Sequence, residues 1–182
     1  MTHDLDTQLL YLLNGLLGKS ALLDNVFLFL ASYLPYLLVV AFLLLLYSSS
    51  YSKKDKLYMF CVTTASALIA RFGVTELIRF FYHRPRPFVA IPQIHALFVD
   101  NEWSFPSGHA TFFFAMAAAI YLFNKKWGIG FFIATLAVTV SRVVAGVHYP
   151  SDILGGMIIG ILVAYTTFYV AQKWRAKEAI TV

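Results

Sequence analysis

Apolar residues gather along this chain in long runs, several of them near the ~20 residues that a helix needs to cross a bilayer, with short polar breaks between them. Five runs predict five spans: Leu22 to Tyr47, bent near Pro35; Leu57 to Phe81; His109 to Phe123; Ile129 to Val147; and Ile153 to Val170. The third is short and is expected to extend at either end. Ahead of them, Leu5 to Leu17 is amphipathic and falls short of a span, which predicts an interfacial or half-inserted N-terminal helix within residues 1–20, ended by Gly18 and Lys19. The one long loop, residues 82–107, holds most of the prolines. The expected fold is all-α, a transmembrane helical bundle of five or six membrane helices. The sixth would be the N-terminal helix if it crosses.

Composition sharpens this picture. Of 182 residues, 60% are hydrophobic and 13% charged, against roughly 45–50% and 25% in soluble domains. Apolar surface on that scale is buried in lipid. The length leaves room for one domain, residues 1–182, and none for a second. The net charge of +5 would suit nucleic acid, but the basic residues lie in short loops between apolar runs, so membrane lipids are the expected partner and nucleic acid is not. Lys53, Lys54 and Lys56, then Lys125 and Lys126, then Lys173, Arg175 and Lys177 fall on one side of a five-span arrangement, which is therefore expected to be cytoplasmic. The opposite side receives Arg79, His83, Arg84, Arg86, His109, Arg142, His148 and Asp152, so the chemistry and loop 82–107 are expected to face outward. Cys61, the single cysteine, sits in an apolar run and reads as packing. Asp4 and Asp6 stand where a cleavable leader would carry basic residues, and no such leader is expected.

Three segments carry polar groups to that outward face. Arg79 to Pro87 (Arg-Phe-Phe-Tyr-His-Arg-Pro-Arg-Pro) closes the second span, Phe105 to His109 (Phe-Pro-Ser-Gly-His) opens the third, and Ser141-Arg142 with His148 and Asp152 joins the fourth to the fifth. Arginines present forked donors that match phosphate oxygens. Pro106-Ser107-Gly108 reads as a helix start, whose free N–H groups and dipole favour an anion. Two histidines supply one group that attacks and one that protonates a leaving oxygen. Asp152 follows His148 at helical spacing, so its carboxylate can hold one ring nitrogen and leave the other free. Taken singly, an interfacial arginine is usually an anchor, a loop histidine a solvated side chain, and Ser-Gly a cap. Their convergence on one face of a charge-poor chain outweighs those readings. An uncompensated arginine at the position of Arg142 costs about 2.5–3.5 kcal/mol on insertion scales, which an anionic ligand would offset. His83, His95, Asp100 and Glu102 lack compact ligand spacing, so no metal and no cofactor is expected. Arg71 and Glu76 lie within the second span at a spacing poor for a direct pair; they read as structural support ahead of the alternative, lining a polar path from site to bilayer, with Glu76 near enough to Arg79 to steady it.

Together the segments resemble the three-part signature of the type 2 phosphatidic acid phosphatase superfamily: Lys-x6-Arg-Pro, Pro-Ser-Gly-His and Ser-Arg-x5-His-x3-Asp. The second part matches in full from Pro106 to His109 and the third from Ser141 to Asp152. The first matches with Arg79 in the lysine position and Arg86-Pro87 at the proper distance, whereas choosing Arg84-Pro85 would put Leu77 there. The resemblance implies that His148 is the nucleophile of a phosphohistidine intermediate, Asp152 its orienting partner and His109 the group that protonates the leaving oxygen and then activates water. It also implies that Arg79, Arg86, Ser107, Gly108 and Arg142 bind the phosphoryl oxygens. Within the superfamily, the short chain with Arg-Pro-Arg-Pro-Phe and Ser-Phe-Pro-Ser-Gly-His looks like bacterial undecaprenyl-diphosphate phosphatases. That implies a lipid diphosphate substrate, met at the outer face of the cytoplasmic membrane. Phosphatidylglycerophosphate or phosphatidic acid is the alternative substrate. An anion transporter or channel is the reading from another class, and a haloperoxidase sharing the signature is disfavoured by the spans.

Overall fold

The computed structural model of the protein describes residues 4–181, and the side chains of residues 4–177. Among these residues the secondary structure is helical throughout. α1 (Leu5–Asn14) is followed by α2 (Ala21–Ser32) and α3 (Leu34–Ser48), then α4 (Lys53–Leu68), a π-helical segment (Ile69–Thr75), α5 (Glu76–Phe81), the short α6 (Pro87–Ala90), α7 (Gly108–Phe123), α8 (Lys125–Val144) and α9 (Pro150–Thr181).

Among the described residues, three helices are long and apolar enough to cross a membrane: the continuous rod Lys53–Phe81, then Lys125–Val144 and Pro150–Lys177. α2 and α3, bent by 50° at their junction, are together long and apolar enough for a fourth. The bend follows from Pro35, which lacks an N–H and whose ring collides with the carbonyl four residues back, that of Ala31. α7 is the short fifth apolar helix, 16 residues or about 24 Å long. It tolerates its shortness because the bundle encloses it. Ala110, Phe114, Ala115, Ala117, Ala118, Ala119 and Ile120 are all fully or almost fully buried.

Small residues allow that enclosure. A Cβ on Gly156 of α9 would stand 2.7 Å from the Ala110 Cβ, and one on Gly160 would stand 2.6 Å from the Thr111 carbonyl oxygen. The Gly-x3-Gly pair therefore lets α9 lie directly against α7, as close-packed membrane helices require. Beneath the site end of α7, Phe113, Met116 and Ile120 form a core with Phe42, Met59, Phe131 and Val138.

The bundle has two distinct ends. At one, Arg175 of α9 pairs with Asp55 of α4 at 2.7 Å, and Asn124 before α8 donates to Tyr51 at 3.1 Å. This brings together all three lysine- and arginine-bearing segments singled out in the sequence. At the other end lie the loop between Phe81 and Gly108, the α8–α9 turn and α1.

Two expectations bear on this end of the bundle. α1 is 10 residues, about 15 Å, and falls short of a span as expected. It is bound to the protein: Asp6 accepts from the Ser151 backbone N–H at 2.8 Å, and the Asn14 amide donates to the carbonyls of His95 and Val144. It ends at Asn14, and the chain turns through Gly18, whose φ of 75° suits glycine. Secondly, Arg71 and Glu76 pair directly. On an α-helix residues five apart diverge by about 140°, but the π-helical turn bonds i to i+5 and stacks them.

Candidate active site

At the end remote from the lysines, a polar cavity of about 170 Å³ lies among the α4–α5 rod, the long loop, the start of α7 and the α8–α9 turn. Its cations are Arg71, Arg79, Arg86 and Arg142, and its other walls include Gly108, His109 and His148. Arg79, Arg86 and Arg142 are each 3–4% exposed. Three guanidinium groups withdrawn from solvent at one point would repel one another and carry a desolvation penalty unless anions answered them.

Carboxylates of the long loop answer them. Asp100 spans Arg86 at 2.8 Å and Arg142 at 3.0 Å. Glu102 holds Arg71 through both oxygens at 3.0 and 2.9 Å and also pairs with Arg79. Burial alone would raise both carboxyl pKa values, but Arg86 beside Asp100, and Arg79 with Arg71 beside Glu102, outweigh it and hold both below the ordinary range. Some donors remain free: among the described residues, the Nε atoms of Arg79 and Arg142 are buried without a hydrogen-bond partner. Arg142 also donates to the Ala31 carbonyl at 3.4 Å. This is the carbonyl that Pro35 releases from the helical ladder, so the bend in the first span serves the site.

His148, 1% exposed, sits between two opposite demands. Its Nε2 lies 3.2 Å from Arg86 Nη1, and its Nδ1 lies 3.4 Å from Asp152 Oδ2. A guanidinium only donates, so Nε2 must offer its lone pair toward the arginines while Nδ1 carries the proton toward Asp152. Burial pushes the imidazole pKa down to about 4, with the positive charge of Arg142 and Arg86 adding to the shift and the Asp152 hydrogen bond opposing it. The ring is therefore neutral near pH 7.

Asp152 is fully buried and held on every side. Its Oδ2 accepts from the Ser104 hydroxyl at 2.5 Å and the Tyr149 N–H at 2.8 Å, and its Oδ1 accepts from Arg84 at 2.7 Å. Arg84 reaches back to Asp6 of α1 at 2.8 Å and lies over the Tyr149 ring.

Of the residues singled out in the sequence, Arg79, Arg86, Gly108, His109, Arg142 and His148 meet around this cavity. Asp152 stands behind His148. Ser107 stands behind the wall as the N-cap of α7, its hydroxyl accepting from the Ala110 N–H at 3.4 Å. Gly108 has a role beyond admitting a ligand: a Cβ there would lie 2.5 Å from Arg71 Nε, so the glycine gives Arg71 its place. The structure puts Arg86 in the cavity and Arg84 on Asp152, in line with the spacing that preferred Arg86-Pro87. Glu76 does lie 3.5 Å from Arg79. Of the four residues weighed as metal ligands, Asp100 and Glu102 pair with arginines and His83 lies against the Trp103 ring at 4.8 Å.

Sequence reasoning passed over Ser104, Asp100, Glu102, Arg84 and Asp6. Ser104 left a weak signal, standing two residues before Pro-Ser-Gly-His. The carboxylates left none, since nothing in spacing says which loop residues fold back onto distant arginines.

An arginine-lined anion cradle facing a neutral imidazole, at one end of an apolar helical bundle, is the apparatus of a membrane-embedded phosphatase for lipid substrates. Residues 56–176 match the PAP2 superfamily, and the chain belongs to it. It is 33% identical over 161 residues to a Bacillus licheniformis protein named bacitracin transport permease protein BcrC, covering 86% of this chain and 76% of that one. It is 32% identical over 162 residues to the undecaprenyl-diphosphatase BcrC of Bacillus subtilis strain 168, covering 86% and 79%. The crystal structure of Aquifex aeolicus LpxE superposes with a TM-score of 0.74 at 26% identity, covering 92% of this chain and 97% of that one. The protein is thus a multi-pass membrane hydrolase, a lipid phosphatase of the PAP2 type.

Proposed function

We propose that the chain, as one phosphatase domain, removes the terminal phosphate of a polyprenyl diphosphate, undecaprenyl diphosphate foremost, through a phosphohistidine on His148. The observation that carries this reading is the orientation of His148: Nδ1 held by Asp152, Nε2 turned with its lone pair into the arginine cavity. The substrate class rests on the Bacillus subtilis relative, which is named an undecaprenyl-diphosphatase.

The steps balance with this chain's own groups. The terminal phosphate displaces the loop carboxylates from Arg79, Arg86 and Arg142, with the N–H groups at Gly108 adding donors at the start of α7. Nε2 attacks phosphorus as the bridging P–O bond breaks, and His109 gives its proton to the departing oxygen, releasing the lipid monophosphate. Asp152 stabilises the charged ring that results. His109, now neutral, takes a proton from water, whose oxygen attacks phosphorus. The P–N bond breaks, and phosphate leaves with His148 restored. The arginines supply the positive charge that this transfer demands, so the reaction is expected to proceed without a metal.

Phosphate release should therefore survive a chelator and follow a bell-shaped dependence on pH. The acid limb of kcat/KM should lie near 4, because below the His148 pKa the lone pair is lost to a proton. The alkaline limb should mark loss of the His109 proton. Loss of activity with EDTA, restored by a divalent ion, would refute the metal-free cradle. A panel of lipid phosphates assayed with purified protein tests the substrate: kcat/KM should favour polyprenyl diphosphate over phosphatidic acid and phosphatidylglycerophosphate by at least about tenfold. A preference for either glycerolipid would overturn this assignment.

The active site faces outside the cytoplasmic membrane in this reading, which the lysine-rich opposite end supports by the positive-inside rule. A reporter fused after Lys177 should be cytoplasmic, and a cysteine introduced at Gln93 should react with an impermeant reagent added from outside. Labelling of that cysteine only after permeabilisation would invert the topology.

The name of the Bacillus licheniformis relative raises transport as a second reading. A transported anion would need a way down from the arginines. The apolar side chains of Phe113, Met116, Ile120 and Val138 are packed below them, which favours chemistry at one face.

A further inference from the structure

Arg71 is not among the residues that the reaction above uses, yet it lines the polar cavity. It also lines a second, largely apolar cavity of about 330 Å³ beside the first, between the bent span and the π-helical segment. Pro35, Tyr36, Val39, Phe72 and Phe112 give that cavity its apolar character. Arg71, Gly108 and His109 line both, and so mark the junction between them.

The placement of Arg71 is built at some cost to helical regularity. The π-helical segment Ile69–Thr75 carries it, and π turns inside α-helical rods occur mostly at functional sites. Gly108 makes room for it. Its side chain is 16% exposed and is held by two carboxylates, those of Glu76 and Glu102.

The loop carboxylates also divide the cations into two sets. Asp100 spans Arg86 and Arg142, and Arg86 touches the Nε2 of His148. Glu102 spans Arg71 and Arg79. The site therefore sets two carboxylates side by side on two pairs of arginines. A lipid monophosphate brings one phosphoryl group and can replace one of them. A lipid diphosphate brings two and can replace both.

We propose that Arg71 is a specificity-determining residue that binds the phosphoryl group remaining on the lipid, and so selects diphosphates over monophosphates. This rests on the lipid phosphatase reading above and deepens it. The terminal phosphate lies at Arg79, Arg86, Arg142 and His148, the bridging oxygen passes His109, and the lipid-linked phosphate lies at Arg71, where the polar cavity gives way to the apolar one. Arg71 then meets the negative charge that the leaving lipid monophosphate gains as the bridging bond breaks. The guanidinium fork suits two oxygens of that group; its Nη2 meets both oxygens of Glu102 and its Nη1 meets Glu76.

The test compares kcat/KM for one prenyl chain carrying a diphosphate and the same chain carrying a monophosphate, in purified wild type, Arg71→Gln and Arg71→Lys. The wild type should prefer the diphosphate. Arg71→Gln should lower the diphosphate-to-monophosphate ratio at least about tenfold, the scale of one lost charge-assisted contact. Arg71→Lys keeps the charge facing Glu76 and Glu102, so it guards against a folding failure, and it should lower the ratio by a smaller factor because an ammonium cannot grip two oxygens. Methylenediphosphonate should inhibit the wild type more strongly than orthophosphate, and that difference should shrink in both variants. An unchanged ratio in variants with wild-type melting temperatures would overturn the role of Arg71 and leave the phosphatase reading intact. A wild type without preference for the diphosphate would overturn both.

Discussion

Replacing His148 by alanine is expected to abolish phosphate release, lowering kcat by at least about 10⁴-fold as loss of a nucleophile does. Few side chains here are less replaceable on geometric grounds. Nε2 turns its lone pair toward the arginine cradle, and Arg86 at 3.2 Å both orients it and stands ready for a phosphate oxygen. Water admitted into the space left by the ring would be a far poorer nucleophile. The purified variant should keep its helical content and still bind orthovanadate or phosphate weakly through the arginines. A folded His148→Ala protein that turns over lipid diphosphate at the wild-type rate would move the attack elsewhere.

The second large effect is expected at Asp152. Asp152→Asn preserves shape but removes the charge that receives the Nδ1 proton, and an amide can present its NH2 to Nδ1 instead. The imidazole would then favour the tautomer with its proton on Nε2, the atom that must attack. A loss of about 10²–10⁴-fold in kcat, with a much smaller change in KM, is the expected outcome. The fold should survive, because Arg84 keeps Asp6 at 2.8 Å and the side chain keeps its shape. A variant with normal kcat and a raised KM would show that Asp152 positions substrate-binding groups rather than His148. Ser104, which donates to the same carboxylate oxygen, gives a finer probe: Ser104→Ala should reduce kcat by about tenfold, the weight of one hydrogen bond to a charged group.

The spans were legible because a bilayer demands long apolar runs whatever the tertiary contacts, and the bend near Pro35 because a proline interrupts the helical ladder for local reasons. The signature segments were legible because each binds its residues within a few positions of one another. Contacts across the fold were not. Asp6 and Ser151 meet though 145 positions apart, and Arg79 meets Glu102 across 23. The pairing of Arg71 with Glu76 was misread for a different reason: Ile69–Thr75 has no proline and a single glycine, so nothing in its composition separates a π turn from an α turn. That local choice, invisible in the pattern, decides which way Arg71 points. Likewise the amphipathicity of α1 was legible, but the partners of its Asp6 and Asn14, Ser151, His95 and Val144, lie far along the chain and left no mark.

The central claim is that phosphate passes through His148, and capturing that species tests it most directly. Purified protein would be mixed with polyprenyl diphosphate labelled at the terminal phosphorus, quenched in alkali within milliseconds to seconds, digested and mapped. The expected result is label on the peptide containing His148, stable in alkali and lost in acid as a phosphoramidate should be, absent from His148→Ala and accumulating when His109 is replaced and the second step slows. Label on another residue, or sustained turnover with no protein-bound phosphate in either wild type or the His109 variant, would contradict the account.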